Sequence, residues 1–195
     1  MKRMIAYAAH TIALALGLPA STAFADTIAA GPYYATPSWD QTLPSSTRFI
    51  VLSNFNSEAV LDRETGLVWE RSPATSPLTW VAASQVCIQR TTGGRLGWRL
   101  PTIQEIGSLF DPNASTFPPV PAGHPFLGIP AAQFTAYWSA TSVDVHPDLA
   151  YFARWFIDSH TQLPYVQLDV AIPKSDAMVI ALGWCVRGGL QGLPQ

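Results

Sequence analysis

The sequence predicts an α+β fold in which two helices pack against a small antiparallel sheet. Strand-forming runs lie in the first and last thirds of the chain, two capped helical segments lie between them, and a proline-rich stretch precedes the later strands. The chain has 195 residues, of which 48% are hydrophobic and 11% are aromatic, so it is too apolar for a disordered protein. This length favours one globular domain with a sizeable core.

The first 25 residues have the three parts of a secretory signal peptide. Lys2 and Arg3 precede an apolar stretch over residues 4–18, and small residues at Ala23 and Ala25 form the cleavage site. The apolar stretch is shorter than the roughly 20 residues that a membrane-spanning helix needs, which argues against a retained anchor. We expect cleavage after Ala25 and a mature protein that is periplasmic or secreted and not inserted in the membrane.

The charge of the chain argues against a nucleic-acid partner. The formal net charge is −2, and removing Lys2 and Arg3 with the signal peptide leaves 9 basic and 13 acidic residues, or −4. No run of basic residues is present to neutralise phosphates.

Residues 26–47 are rich in Ala, Pro, Ser and Thr and are predicted to form an extended N-terminal arm. Regular structure is expected to begin near Arg48, followed by a short strand over residues 49–52. Residues 59–62 and 67–70 flank a polar turn that ends in glycine, which indicates a β-hairpin.

The first predicted helix is capped by Thr79 and has Trp80, Ala83 and Cys87 on its buried stripe. The second opens with a capping box and is predicted to continue until Pro112. The capping box is formed by Thr102 and Glu105, and the apolar positions of this helix are Ile103, Ile106 and Phe110.

Residues 111–135 contain six prolines, which excludes a helix or a central strand, and a loop of this length is usually functional. The rest of the chain is predicted to form strands, with a flexible tail at 190–195. These strands are expected over residues 137–141, 150–157, 163–170, 178–182 and 184–187.

The two cysteines, Cys87 and Cys185, both lie in the exported part of the chain, where an oxidising compartment favours a disulfide. The alternatives are a reactive thiol or a metal site, but neither cysteine belongs to a C-x-x-C motif or has a histidine nearby in sequence. A bridge would tie the first helix to the last strand and leave the central loops on one side of the domain.

Six motifs occur in a fixed order between residues 48 and 189. They are Leu61-Asp62-Arg63-Glu64-Thr65-Gly66-Leu67-Val68-Trp69, Thr79-Trp80 with Ala83 and Cys87, Gly97-Trp98-Arg99-Leu100-Pro101-Thr102 with Glu105, Gly123-His124-Pro125-Phe126, Tyr137-Trp138-Ser139-Ala140-Thr141 and Cys185-Val186-Arg187. This ordered set resembles the domain family named for the C-terminal region of the Legionella collagen-like adhesin.

This resemblance implies a C-type-lectin-like fold, also similar to that of formylglycine-generating enzymes: two helices against a small twisted antiparallel sheet, a disulfide from helix to last strand, and long loops that present a variable surface. It also implies an extracellular binding or adhesion module. Ala140 stands where Ser or Thr is usual, and no collagen-like repeat is present.

Several conspicuous residues are better explained by structure than by chemistry. Trp69, Trp80, Trp98 and Trp138 are expected to be structural, and Arg99 is expected to pair with an internal carboxylate or carbonyl. His124 is expected to anchor the proline-rich loop rather than act as a base or a metal ligand. The segment 144–148 is expected to be a solvated turn rather than a calcium site, so no metal is predicted.

The predicted recognition residues are Tyr151, Arg154, Trp155, His160 and Tyr165. In a strand, Tyr151 and Trp155 point to one side and Arg154 points to the other, so one side must meet solvent or a partner. Aromatic rings combined with Arg and His suit a sugar ring or a peptide.

No catalytic residue is predicted, because no G-x-S-x-G, H-E-x-x-H, P-loop or dinucleotide motif is present. No cofactor is expected either. Formylglycine-generating enzymes depend on a pair of active-site cysteines, whereas the two cysteines here are assigned to the bridge. The sequence therefore predicts a non-catalytic module that binds a glycan or a surface protein; the alternative is a structural or assembly component of a cell-surface structure.

Overall fold

The computed structural model of the chain describes residues 28–29, 43–176 and 181–188. The predicted signal peptide, most of the predicted arm and the predicted tail lie outside the described residues. Of the strand predicted over 178–182, only the last two residues are described. They form isolated bridges, Ala181 with Leu78 and Leu182 with Tyr137.

The described chain folds into three α-helices and nine strands, which confirms the α+β class. The helices are α1 (Ser45–Arg48), α2 (Trp80–Ile88) and α3 (Ile103–Ser108). The strands are β1 (Ile28–Ala29), β2 (Phe49–Leu52), β3 (Ala59–Asp62), β4 (Leu67–Glu70), β5 (Trp98–Arg99), β6 (Ala136–Val143), β7 (His146–Ile157), β8 (Pro164–Pro173) and β9 (Val186–Arg187).

The first sheet has six short strands in the order β1-β2-β3-β4-β9-β5. Its neighbours are antiparallel except for β1 and β2. The predicted hairpin is β3–β4, and Gly66 in its turn has φ 69°, a left-handed conformation that glycine adopts without strain. The late strand β9 lies between β4 and the edge strand β5, so segments distant in sequence pair at this end of the sheet.

The second sheet consists of the consecutive antiparallel strands β6, β7 and β8. β7 begins at His146 rather than at the predicted Ala150, because His146 pairs with Val143 across a two-residue turn. β8 likewise extends past the predicted Val170 to Pro173, because Pro173 pairs with Leu149. Cross-strand pairing thus lengthens both strands into segments whose composition alone does not indicate a strand.

Helix α2 begins as predicted, with the Thr79 hydroxyl accepting from the backbone N of Ala82 at 3.3 Å. Ala83 and Cys87 on its inner side are fully buried. Cys87 forms a disulfide with Cys185, with the two Cα atoms 5.3 Å apart, as the sequence predicts.

Helix α3 has the predicted capping box but ends at Ser108, four residues before Pro112. The Arg48 guanidinium donates to the Ser108 carbonyl at 2.7 Å, which satisfies an acceptor that the helix end leaves unpaired. Phe110 therefore lies beyond the helix, where it is buried with its ring centroid 5.6 Å from that of Trp155.

The predicted irregular segment contains no helix or strand between Leu109 and Thr135. It does not simply project from the domain, because Val120 and Phe126 are buried in the main core cluster. The ring of Phe126 packs edge-on against that of Trp184, with centroids 5.0 Å apart. The proline-rich segment therefore closes one side of the core.

Candidate functional site

The outer face of the second sheet carries an exposed group of aromatic side chains around one arginine. We call it the aromatic–arginine face and define it as Phe134, Arg154, Phe156, Tyr165 and Gln167. The rings of Phe134 and Phe156 are stacked at 6.5 Å and 11°, and those of Phe156 and Tyr165 meet edge-on at 5.3 Å. Phe134 is 69% exposed and Tyr165 is 50% exposed, so much of this aromatic surface contacts solvent.

Cross-strand pairing places these side chains together. Phe156 pairs with Tyr165, and Arg154 pairs with Gln167, in the β7–β8 ladder. Directly opposed residues in an antiparallel pair project to the same side of the sheet. The register of two strands therefore assembles four of the five residues.

Phe134 reaches the face from the end of the proline-rich segment. Its backbone N donates to the Trp155 carbonyl at 2.8 Å, and the Trp155 N donates to the Thr135 carbonyl at 3.2 Å. Phe134 has φ 64°, a left-handed conformation that is rare for a bulky residue and that occurs at functional sites. These two hydrogen bonds hold its ring beside that of Phe156.

Arg154 is fixed in position on this face. Its Nε and Nη2 atoms donate to the Gln167 Oε1 atom at 2.9 and 2.7 Å. Its guanidinium carbon lies 5.7 Å from the ring centroid of Phe156 and 6.0 Å from that of Phe152. Because guanidinium has five N–H donors, further donors remain for the hydroxyl, carbonyl or carboxylate oxygens of a ligand.

The turn between β7 and β8 is organised by Asp158. Its Oδ1 atom accepts from the backbone N of Thr161 and of His160, both at 2.8 Å. These hydrogen bonds, Thr161 foremost, lower the pKa of Asp158 below its ordinary value. His160 is exposed at this tip, just beyond the Ile157–Pro164 pair that closes the ladder.

Trp155, one of the predicted recognition residues, lies in the core instead of on the surface: its side chain is fully buried and its Nε1 donates to the Ala132 carbonyl at 3.0 Å. Tyr151 is half-buried and packs against the same core cluster. Strand alternation puts both residues on the side of the sheet away from Arg154. The structure brings together only Arg154 and Tyr165 of the five predicted residues and places His160 at the nearby tip.

The sequence prediction missed Phe134, Phe156 and Gln167. Phe156 was detectable, because it lies two residues after Arg154 and alternation puts the two on one side of a strand. Gln167 depends on the β7–β8 register, which contains an irregularity between Phe152 and Arg154. Phe134 depends on a contact of an irregular segment, for which the sequence has no periodic signal.

The structural interpretation of Arg99 is confirmed, because it donates to both carboxylate oxygens of Glu105 at 2.7 and 2.6 Å. Trp69, Trp98 and Trp138 are buried as expected, whereas Trp80 is only half-buried and donates to the Ser139 carbonyl at 2.8 Å.

The predicted turn over 144–148 is shorter than expected, because only residues 144–145 lie outside the strands. The His124 ring lies 5.8 Å from that of Phe126, and its backbone N donates to the Pro121 carbonyl. Within the described ranges, no three His, Cys, Asp or Glu side chains converge on a common point.

The family model described as the Lcl C-terminal domain matches residues 58–187. No curated protein and no solved structure matches the chain. In the part of the chain that the structure describes, no helix has the length and apolarity needed to cross a membrane.

Proposed function

Because this chain belongs to the Lcl C-terminal domain family, which indicates an adhesin-related extracellular module, we propose that it is an exported, non-catalytic module that binds a glycan. Its aromatic–arginine face is the surface that carries the binding. The disulfide supports export to the periplasm or beyond, because such bonds persist in oxidising compartments.

The proposed fold relationship is to C-type lectins. It is supported by the disulfide that joins α2 to the residue before β9, and by the antiparallel arrangement of short strands around two capped helices. A module without catalysis agrees with the pairing of the two cysteines, since a formylglycine-generating enzyme needs free active-site thiols.

The observation that carries the proposed function is the exposed aromatic surface beside a fixed arginine. The faces of a sugar ring are apolar C–H groups, which pack against aromatic rings such as those of Phe134 and Tyr165. The sugar hydroxyls can accept from Arg154, whose orientation is set in advance by Gln167, so little side-chain freedom is lost on binding.

The test is an array of bacterial and animal oligosaccharides probed with the mature protein, followed by calorimetry with the oligosaccharide that binds best. Tyr165→Ala and Arg154→Ala should each weaken binding about tenfold or more, since hot-spot residues at interfaces are typically Tyr, Trp and Arg. The matched control is Arg63→Ala, because Arg63 lies in the β3–β4 turn, away from the face.

A wild-type protein that binds no oligosaccharide would overturn the glycan assignment. If the wild-type protein binds a surface protein instead, and both variants lose that binding, then the aromatic–arginine face is the binding site but its ligand is a protein rather than a glycan. Binding that is unchanged in both variants would exclude the face itself.

A further inference from the structure

A polar cleft of about 450 Å³ lies outside the aromatic–arginine face and shares no residue with it. Four segments form its walls: residues 57–58 before β3, residues 70–72 at the end of β4, residues 90–92 after α2, and Leu127 of the proline-rich segment. This volume falls in the range of roughly 300–1,000 Å³ that small-molecule sites occupy.

A buried carboxylate lies at the inner end of the polar cleft. Glu70 is only 3% exposed, and its oxygens accept from the Thr92 hydroxyl at 2.8 Å and the Cys185 backbone N at 3.3 Å. The Nε atom of Arg90 lies 3.0 Å from Glu70 Oε1. Burial raises the pKa of Glu70, and the Arg90 charge opposes that rise. The Nε side of the Arg90 guanidinium is therefore in ion-pair contact with Glu70.

The rest of the Arg90 guanidinium faces the cleft. Its side chain is 36% exposed, and its two Nη groups hydrogen-bond to no described residue. Two N–H groups on one edge of a guanidinium match the two oxygens of a carboxylate. The cleft is lined by two basic side chains, Arg71 and Arg90, and two acidic ones, Glu58 and Glu70, so its charges balance and favour one carboxylate over a polyanion.

A second carboxylate, that of Glu58, also lines the polar cleft. The Oε2 atom of Glu58 accepts from the Gly93 backbone N at 2.7 Å, which leaves Oε1 without a hydrogen bond to any described residue. Gly93 has φ 64°, and a Cβ there would lie 2.6 Å from Phe55 Cβ, so only glycine fits this backbone. Glu58 is therefore held by a rigid segment and presents an acceptor for an ammonium group.

An apolar wall completes the polar cleft. Leu127 is 50% exposed, and its backbone N donates to the Arg71 carbonyl at 2.8 Å. Its side chain supplies a surface on which an aliphatic group can pack. The cleft thus combines a donor for a carboxylate, an acceptor for an ammonium group and an apolar contact.

We propose that the polar cleft binds a free α-amino acid with an apolar side chain. The carboxylate of the amino acid pairs with Arg90, its ammonium group pairs with Glu58, and its side chain packs on Leu127. This activity is separate from glycan binding and does not depend on it.

The first test is calorimetry of the full mature protein with three probes: L-leucine, N-acetyl-L-leucine and L-leucine amide. L-leucine should bind, and each blocked probe should bind about tenfold or more weakly, because each lacks one of the two charges. Absence of L-leucine binding, or equal binding of the blocked probes, would overturn the proposal.

The second test uses variants that keep the local structure. Glu58→Gln preserves the acceptor for Gly93 and removes the charge, and Arg90→Lys preserves the charge that Glu70 needs while removing the planar donor edge. Each should weaken L-leucine binding about tenfold or more, with Arg63→Ala as the control at wild-type affinity. Tyr165→Ala should bind L-leucine normally, which separates this site from the aromatic–arginine face.

Unfolding midpoints in urea should be measured for both cleft variants. Should Arg90→Lys fail to fold, Glu58→Gln decides the outcome, because Glu58 is exposed and its variant leaves the Arg90–Glu70 pair intact. Wild-type affinity in a folded Glu58→Gln protein would exclude the proposed ammonium contact.

Discussion

The two sheets of this protein are built in opposite ways. The first joins strands of two to four residues from distant parts of the chain, and its strands are mostly buried. The second joins three consecutive strands of 8, 12 and 10 residues and leaves part of one face open. The comparison leads us to expect the larger contributions to stability from the first sheet, whereas the open face of the second sheet is the one that we propose for binding.

The first sheet includes non-local pairings of β9 with β4 and β5, and closing the long loops between these strands costs conformational entropy. A disulfide joins residues separated by 98 positions, and Arg48 pairs with Asp62 in the interior at 2.9 and 2.8 Å. The second sheet does not depend on a disulfide or a buried ion pair of this kind, because each of its strands follows its neighbour through a short turn.

The largest expected effect is a difference in the free energy of unfolding between variants on the two sides of β7. Trp155→Ala should lower the free energy of unfolding by about 3–5 kcal/mol, because a fully buried ring is lost from the core. Phe156→Ala, one residue later and facing outward, should cost about 1 kcal/mol or less. Urea denaturation of the two variants checks this, and equal losses would contradict the assignment of the two faces.

Breaking the buried ion pair of the first sheet should have a comparable effect. Arg48→Ala should cost about 3–5 kcal/mol, because it leaves the Asp62 carboxylate buried without its partner. Arg154→Ala in the second sheet should stay within about 1 kcal/mol of wild type, since its guanidinium is at the surface. The urea unfolding midpoints of the two arginine variants measure this difference. A severe loss of stability in Arg154→Ala would contradict it.

Removing the Cys87–Cys185 disulfide should lower the free energy of unfolding slightly less than Trp155→Ala or Arg48→Ala. The double variant Cys87→Ser with Cys185→Ser should lose about 2–5 kcal/mol, because the unfolded chain gains freedom over a long loop. Chemical denaturation with and without reductant provides the measurement. Wild-type protein should lose stability on reduction, whereas the serine variant should be insensitive to reductant; a variant as stable as oxidised wild type would show that packing alone holds the first sheet.

The smallest expected effect is a pH dependence of opposite sign in the two regions. Burial raises the pKa of Glu70 above 4.5 in the folded state, so its contribution to stability falls as pH rises from the unfolded pKa through the folded one. Hydrogen bonds lower the pKa of Asp158 below 3.8, so its contribution is present above that value and is lost as pH falls through the folded pKa.

Urea denaturation between pH 3 and pH 7 tests this difference in Glu70→Gln and Asp158→Asn. Relative to wild type, Glu70→Gln should gain stability as pH rises, and Asp158→Asn should lose it. Parallel curves for the two variants would contradict the opposed shifts.

Local signals in the sequence predicted most of the first half of the fold. The hairpin turn ending in Gly66 and the caps at Thr79 and Thr102 depend on neighbouring residues, and all three are present in the structure. The position of β9 between β4 and β5 was not predictable, because a pairing between distant strands leaves no local pattern.

The candidate site was predicted only in part for a related reason. Period-two alternation separates Arg154 from Trp155 but does not indicate which side of β7 faces solvent. That choice depends on α3 and the proline-rich segment, whose buried residues cover the side that holds Trp155. The contribution of Phe134 depends on a hydrogen bond to the Trp155 carbonyl, which is a tertiary contact.

The position of β9 between β4 and β5 also sets the order in which the domain can be completed. During synthesis, β6, β7 and β8 emerge before β9, so the second sheet can pair while the gap between β4 and β5 is still open. The disulfide between Cys87 and Cys185 can form only after Cys185 has been synthesised. The face that we propose for binding can therefore form before the disulfide does, and until the disulfide closes the first sheet lacks its covalent cross-link.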